Sequence, residues 1–126
     1  MKLKCTAAAY RAALMVVVCL AVGAVGARAQ SLSSPWSAAD VGKPNLAGSA
    51  SLSNEVLTID AAGKDIWGIS DEFHFVYQAI SGDVDIRARL DSLSAGHGWA
   101  KAGVMIRSSL ADDASHGYAL LSLDNG

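Results

Sequence analysis

The stretch FHFVYQAISGDVDIRARL, residues 73–90, decides the fold class. In its second half Val84, Ile86, Ala88 and Leu90 fall on one side of an extended chain, and Asp85, Arg87 and Arg89 fall on the other. That is the alternation of a strand with one buried and one wet face. The first half alternates as well, with Phe73, Phe75 and Tyr77 against His74, Val76 and Gln78, and Ser81-Gly82-Asp83 supplies the turn between the runs. Apolar residues returning at every second position predict antiparallel strands, because a helix would bring them back every three to four.

The same period continues on both sides. Upstream, Leu57 and Ile59 oppose Thr58 and Asp60 in a strand over residues 55–60, closed by a turn at Ala61-Ala62-Gly63-Lys64. Downstream, Ala95-Gly96-His97-Gly98 leads into residues 99–107, where Ala100, Ala102, Val104 and Ile106 share a face. A polar segment over 108–117 with a short helical turn precedes a fifth strand over 118–123. Residues 30–48, rich in Ser, Ala, Gly and Pro, read as a lead-in loop or edge strand anchored by Trp36. The expected fold is all-β, an antiparallel sandwich occupying residues 49–126.

Residues 1–29 have a different character. Lys2, Lys4 and Arg11 form a positive start, Ala12 to Val25 an apolar stretch, and Ala27-Arg28-Ala29 offers small residues where a signal peptidase reads them. A secretory signal peptide cut between Ala29 and Gln30 is the expectation, with secretion or a periplasmic destination following from it. The apolar run falls short of the ~20 residues of a spanning helix, so no stable membrane anchor is expected after cleavage.

Removing this segment leaves six basic residues (Lys43, Lys64, Arg87, Arg89, Lys101, Arg107) against all twelve acidic ones, a net −6. An acidic domain lacks the basic stripe with which nucleic-acid binders neutralise phosphates. Both cysteines, Cys5 and Cys19, lie in the leader, so the remainder has no disulfide to form and depends on its core. Asn125-Gly126 signals a hairpin turn with only one arm in this sequence, which suggests a sandwich truncated at its C-terminus.

The blocks Asp65-Ile66-Trp67-Gly68, Asp71, Phe73, Tyr77, Gly82-Asp83 and Trp99-Ala100-Lys101-Ala102-Gly103-Val104-Met105-Ile106-Arg107 carry a family resemblance. Over residues 34–126 the chain resembles secreted bacterial modules of unknown function in the concanavalin A-like lectin/glucanase superfamily. The resemblance implies a jelly-roll sandwich of two antiparallel sheets and an accessory or sugar-binding role. Such modules are nearly twice as long, which also implies a missing C-terminal half.

Glycoside hydrolysis needs two carboxyl groups across the scissile bond. Asp83 and Asp85 are the nearest pair, but one completes a turn and the other sits among arginines, so no catalytic residues are assigned. His74, His97 and His116 have no short ligand spacing, and no metal site is assigned. Calcium, served by Asp112-Asp113 or Asp124-Asn125, is the weaker alternative without an EF-hand spacing.

Sugars present apolar C–H faces that cover aromatic rings while their hydroxyls seek polar neighbours. Trp67 with Asp65 and Lys64, and Trp99 with His97, Lys101 and Arg107, supply that combination; Trp99, Lys101 and Arg107 alternate onto one wetter face. Packing is nevertheless the commoner role of tryptophan in a small β domain, and also the one expected of Phe73, Phe75 and Tyr77. The sequence therefore points to a non-catalytic module binding a polysaccharide or glycan through Trp67, Trp99, His97, Lys101 and Arg107. The alternatives are a structural spacer or remnant without ligand and, more remotely, a glycoside hydrolase. Homo-association through an exposed sheet edge is a further expectation.

Overall fold

The computed structural model describes residues 2–6, 17–19, 32–95 and 97–124. The described residues form strands and connections with no helix. In chain order the strands are β1 (Lys2–Thr6), β2 (Val17–Cys19), β3 (Ser37–Val41), β4 (Ser49–Ser53), β5 (Val56–Asp60), β6 (Phe73–Tyr77), β7 (Arg89–Ser94), β8 (Lys101–Arg107) and β9 (His116–Ser122). They make a four-stranded sheet in the order β4-β5-β1-β7 and a five-stranded sheet in the order β3-β6-β2-β8-β9. Every pairing is antiparallel.

The two sheets face each other across one apolar layer. Ala50, Leu57 and Ile59 come from the four-stranded sheet, Val76 and Ala102 from the five-stranded one, with Ala61 between and Leu32, Trp36, Leu90 and Leu93 at the margin. Trp36 thus fills its anchoring role. A second layer lies on the opposite face of the five-stranded sheet, where Val41, Phe73, Phe75 and Met105 meet Ile66 from the connection between β5 and β6. β6 is therefore covered on both sides. This explains why His74 and Val76 are as buried as Phe73 and Phe75, although alternation alone anticipates one wet face.

Strands β5, β6 and β8 occupy the places their periodicity predicts, and β9 the place of the expected fifth strand, within a residue or two at the ends. Three features differ. The alternating run from Val84 to Leu90 is a strand only from Arg89 onward, because residues 83–88 have no ladder partner among the described residues. Val84 packs on the outer layer and Leu90 on the inner one, so the segment crosses between layers instead of presenting one face. The lead-in takes the second of its two expected forms, the edge strand β3, but it is followed by a strand the sequence does not announce, β4, which forms a hairpin with β5 through Asn54 and Glu55 at φ of 50° and 64°. Two successive positive φ values are those of the two-residue turn that suits the twist of paired strands. The polar segment between β8 and β9 turns through an Ala114 N–H to Ala111 carbonyl bond (3.1 Å) and forms no helix.

β1 and β2 lie inside the segment that reads as a leader. β1 sits between β5 and β7, and β2 between β6 and β8, so each is an interior strand of its sheet. The expected cleavage site between Ala29 and Gln30, and the Asn125-Gly126 turn, lie outside the described residues.

Candidate binding surface

Residues 101, 103, 105 and 107 of β8 project to the outer face of the five-stranded sheet, since side chains two apart along a strand share a face. The connection of residues 65–72 lies along that face. Its ends are drawn together by the Glu72 N–H donating to the Asp65 carbonyl (2.8 Å), and Ile66 is buried against Phe73 and Met105. At one end Asp65 Oδ1 accepts from the Lys101 ammonium, at the first residue of β8. At the other end Asp71 Oδ2 faces Arg107 Nη1 (3.3 Å), at the last. Lys101 and Arg107 start about 20 Å apart at the two ends of β8, and their long side chains reach in towards two carboxylates that the Glu72–Asp65 bond holds near each other.

The Arg107 anchor is the more enclosed. Its side chain is 2% exposed and that of Asp71 6%. Arg107 Nε donates to the Ser109 carbonyl (2.7 Å) and Nη2 to the Ala111 carbonyl (2.5 Å). Its guanidinium lies 5.1 Å from the centre of the Phe73 ring, within cation–π range. His116 Nδ1 comes within 3.5 Å of Asp71 Oδ2. The Asp71 N–H donates to the Asp112 carbonyl (2.8 Å), and the Ser70 hydroxyl to Asp112 Oδ2 (2.9 Å), which ties the connection to the β8–β9 loop.

Between these anchors the chain turns outward. Trp67 is 83% exposed and Ile69 is 92% exposed, with Gly68 between them at φ 78°, a left-handed conformation that glycine adopts without strain. Two large apolar side chains thus stand in water on a connection held at both ends. The packing role usual for tryptophan does not apply to Trp67. Nor does it apply to Trp99, 59% exposed in the turn before β8. That turn is closed by the Ala100 N–H to His97 carbonyl bond (3.0 Å), and its other N–H bond runs from Trp99 to Nδ1 of the exposed His97 (3.1 Å).

The structure separates the residues that alternation groups together. Lys101, with its side chain 12% exposed, and Arg107 are covered by the 65–72 connection and occupied by its carboxylates, so they share no wet face with Trp99. The covering segment is what periodicity within β8 cannot report. Asp71, Ile69 and His116 belong to the same neighbourhood without a signal in sequence that places them there. Tyr77, read as core, stacks on Phe75 (5.4 Å between ring centres, planes at 15°) and lines an open cleft of about 470 Å³. Gln78, Ile80, Ser108 and Leu110 are among its other walls.

Asp83 and Asp85 are both exposed, and Asp85 Oδ2 accepts from Arg87 Nη2 at 2.6 Å. Among the described residues no three His, Cys, Asp or Glu side chains converge as metal ligands would. No protein-family model matches the chain, and no curated protein or solved structure is found to match it.

Proposed function

We propose that this chain is a non-catalytic, exported module that binds a polysaccharide or glycan, with Trp67 as the platform on which a sugar ring lies. The observation that carries the reading is the exposure of Trp67 on a connection anchored at both ends by ion pairs. An indole kept in water by a fixed scaffold loses little freedom when a ligand covers it, and lost freedom is a main cost of binding. A sugar covering roughly 100 Å² of the ring contributes about 2.5 kcal/mol at 25 cal/mol per Å². Trp99, with His97 beside it, is a second aromatic contact, and the family resemblance of the blocks around both tryptophans supports the same ligand class.

The test is a glycan panel screened with the full chain, followed by titration of any positive polysaccharide against Trp67→Ala. The expected result is binding that weakens by one to two orders of magnitude in the variant, in line with the loss of that contact, with the thermal midpoint unchanged. A folded wild-type chain that binds nothing across a broad panel refutes the proposal.

A further inference from the structure

The two N-terminal strands are interior strands, yet they come from a segment whose residues also read as a removable leader. Without them, β5 would face β7, and β6 would face β8, across gaps one strand wide, about 10 Å in each case. Both walls of each gap would present backbone N–H and C=O groups without partners, which templates the addition of a strand.

We propose that these two gaps are acceptor slots for strands of a second polypeptide. In the uncleaved chain they are filled by residues 2–6 and 17–19, and a donor takes their place when the leader is removed. The surroundings specify the donor's chemistry. The slot between β6 and β8 lies between two apolar layers, with Phe75 and Val76 on one wall and Ala102 and Met105 on the other, so it requires consecutive apolar residues. Val17-Val18-Cys19 is such a run. The slot between β5 and β7 is apolar on one side only. In the register, Leu3 lies opposite Ile59 and Leu93, Cys5 opposite Leu57 and Leu90, and Lys4 opposite Thr58 and Ser92. A donor there must alternate apolar with polar, as Lys2-Leu3-Lys4-Cys5-Thr6 does.

Direction is fixed as well. β6 and β8 are both antiparallel to β2, and β5 and β7 both antiparallel to β1, so one donor orientation satisfies both walls of a slot. A foreign donor is favoured over a second copy, because the apolar runs that residues 30–126 could offer, in β6, β8 and β9, are already paired in the five-stranded sheet and would have to leave it.

The experiment uses the full chain with a specific protease site inserted between Ala29 and Gln30. The folded protein is cut, then exposed in mild denaturant to a fluorescent peptide of residues 1–22. The expected result is uptake of one peptide per chain with recovery of the uncut thermal midpoint, and no uptake of the same peptide carrying both Lys4→Pro and Val18→Pro, which removes a ladder donor from each of its two strands. A cut chain that keeps its midpoint and takes up no peptide overturns the proposal, and so does a doubled mass, which would place a second copy in the slots. A measurement on the uncut chain is independent of whether the cut protein stays soluble. Cys19 lies opposite Ala102 in the register, so Ala102→Cys in a Cys5→Ser background should oxidise to a disulfide joining β2 to β8, at the Cα separation such bonds require. Peptide mapping that finds no such link overturns the proposal as well.

Discussion

Replacing Asp71 by alanine removes the carboxylate from a guanidinium whose side chain is 2% exposed. Taking away one member of a buried ion pair usually costs about 3–5 kcal/mol, most of it the expense of leaving the other charge unpaired out of water. Arg107 would keep its bonds to the Ser109 and Ala111 carbonyls and its position over Phe73, which places the expected loss at the lower end, about 3 kcal/mol. For a domain of this size that corresponds to a fall in melting temperature of roughly 12 °C or more. The internal control is Asp85→Ala, which breaks the 2.6 Å contact to Arg87 where the side chains are 67% and 86% exposed. Screening by water leaves that pair worth about 0–1 kcal/mol. Urea unfolding of both variants, followed by circular dichroism at fixed pH and salt, gives the two losses on one scale. Equal small losses would show that Asp71 does not hold the 65–72 connection, and the rigid-platform account of Trp67 would fall with it.

Other substitutions separate anchor from tip. Trp67→Ala should change stability by no more than about 0.5 kcal/mol, because exposed side chains outside special contacts rarely matter to folding; a loss above about 2 kcal/mol would show that the indole packs. Gly68→Ala places a side chain at φ 78° with open space around it, so only backbone strain opposes it, roughly 1–2 kcal/mol at that one residue. Gly103→Ala drives a methyl group onto the backbone of Ala119 and Leu120 in β9 and should lower the urea midpoint by the equivalent of about 1–3 kcal/mol. Asp40→Ala withdraws the acceptor shared by the buried His74 Nδ1 (2.6 Å) and the Gly48 N–H, with an expected loss of about 1–3 kcal/mol in the same assay.

How far the sequence discloses this arrangement depends on which signal each element carries. β5, β6 and β8 alternate, and β9 is a short apolar run after a polar segment, so all four are legible as strands. β4, Ser-Ala-Ser-Leu-Ser, is small and polar, and its hairpin turn uses Asn54-Glu55 in place of the asparagine–glycine pair that marks such turns, so nothing in composition announces it. Residues 83–88 show the opposite failure. Val84 and Ile86 are half-buried and Asp85 and Arg87 exposed, as alternation requires, but alternation reports burial and not hydrogen bonding, and no ladder forms there among the described residues. For the N-terminal segment one property serves two readings, since an apolar run suits an export signal and a strand buried on both faces equally well. At the candidate surface the aromatic residues are visible in the sequence, whereas their exposure is set by two ion pairs, each between residues 36 apart. Local pattern has no access to contacts at that separation.

The double anchoring of the 65–72 connection also acts on β8 itself. Lys101 and Arg107 stand at opposite ends of the strand, and each meets a carboxylate fixed in the same short connection. If β8 slid by two residues against its neighbours, its faces would remain correct and its apolar contacts would partly re-form, so packing alone discriminates weakly against that error. The slide would nevertheless carry both cations about 7 Å from their partners at once and leave a guanidinium unpaired inside the protein. The two charges therefore work as a gauge of strand alignment, accepting a single setting of β8 and, through its ladder to β9, a single setting of the sheet margin.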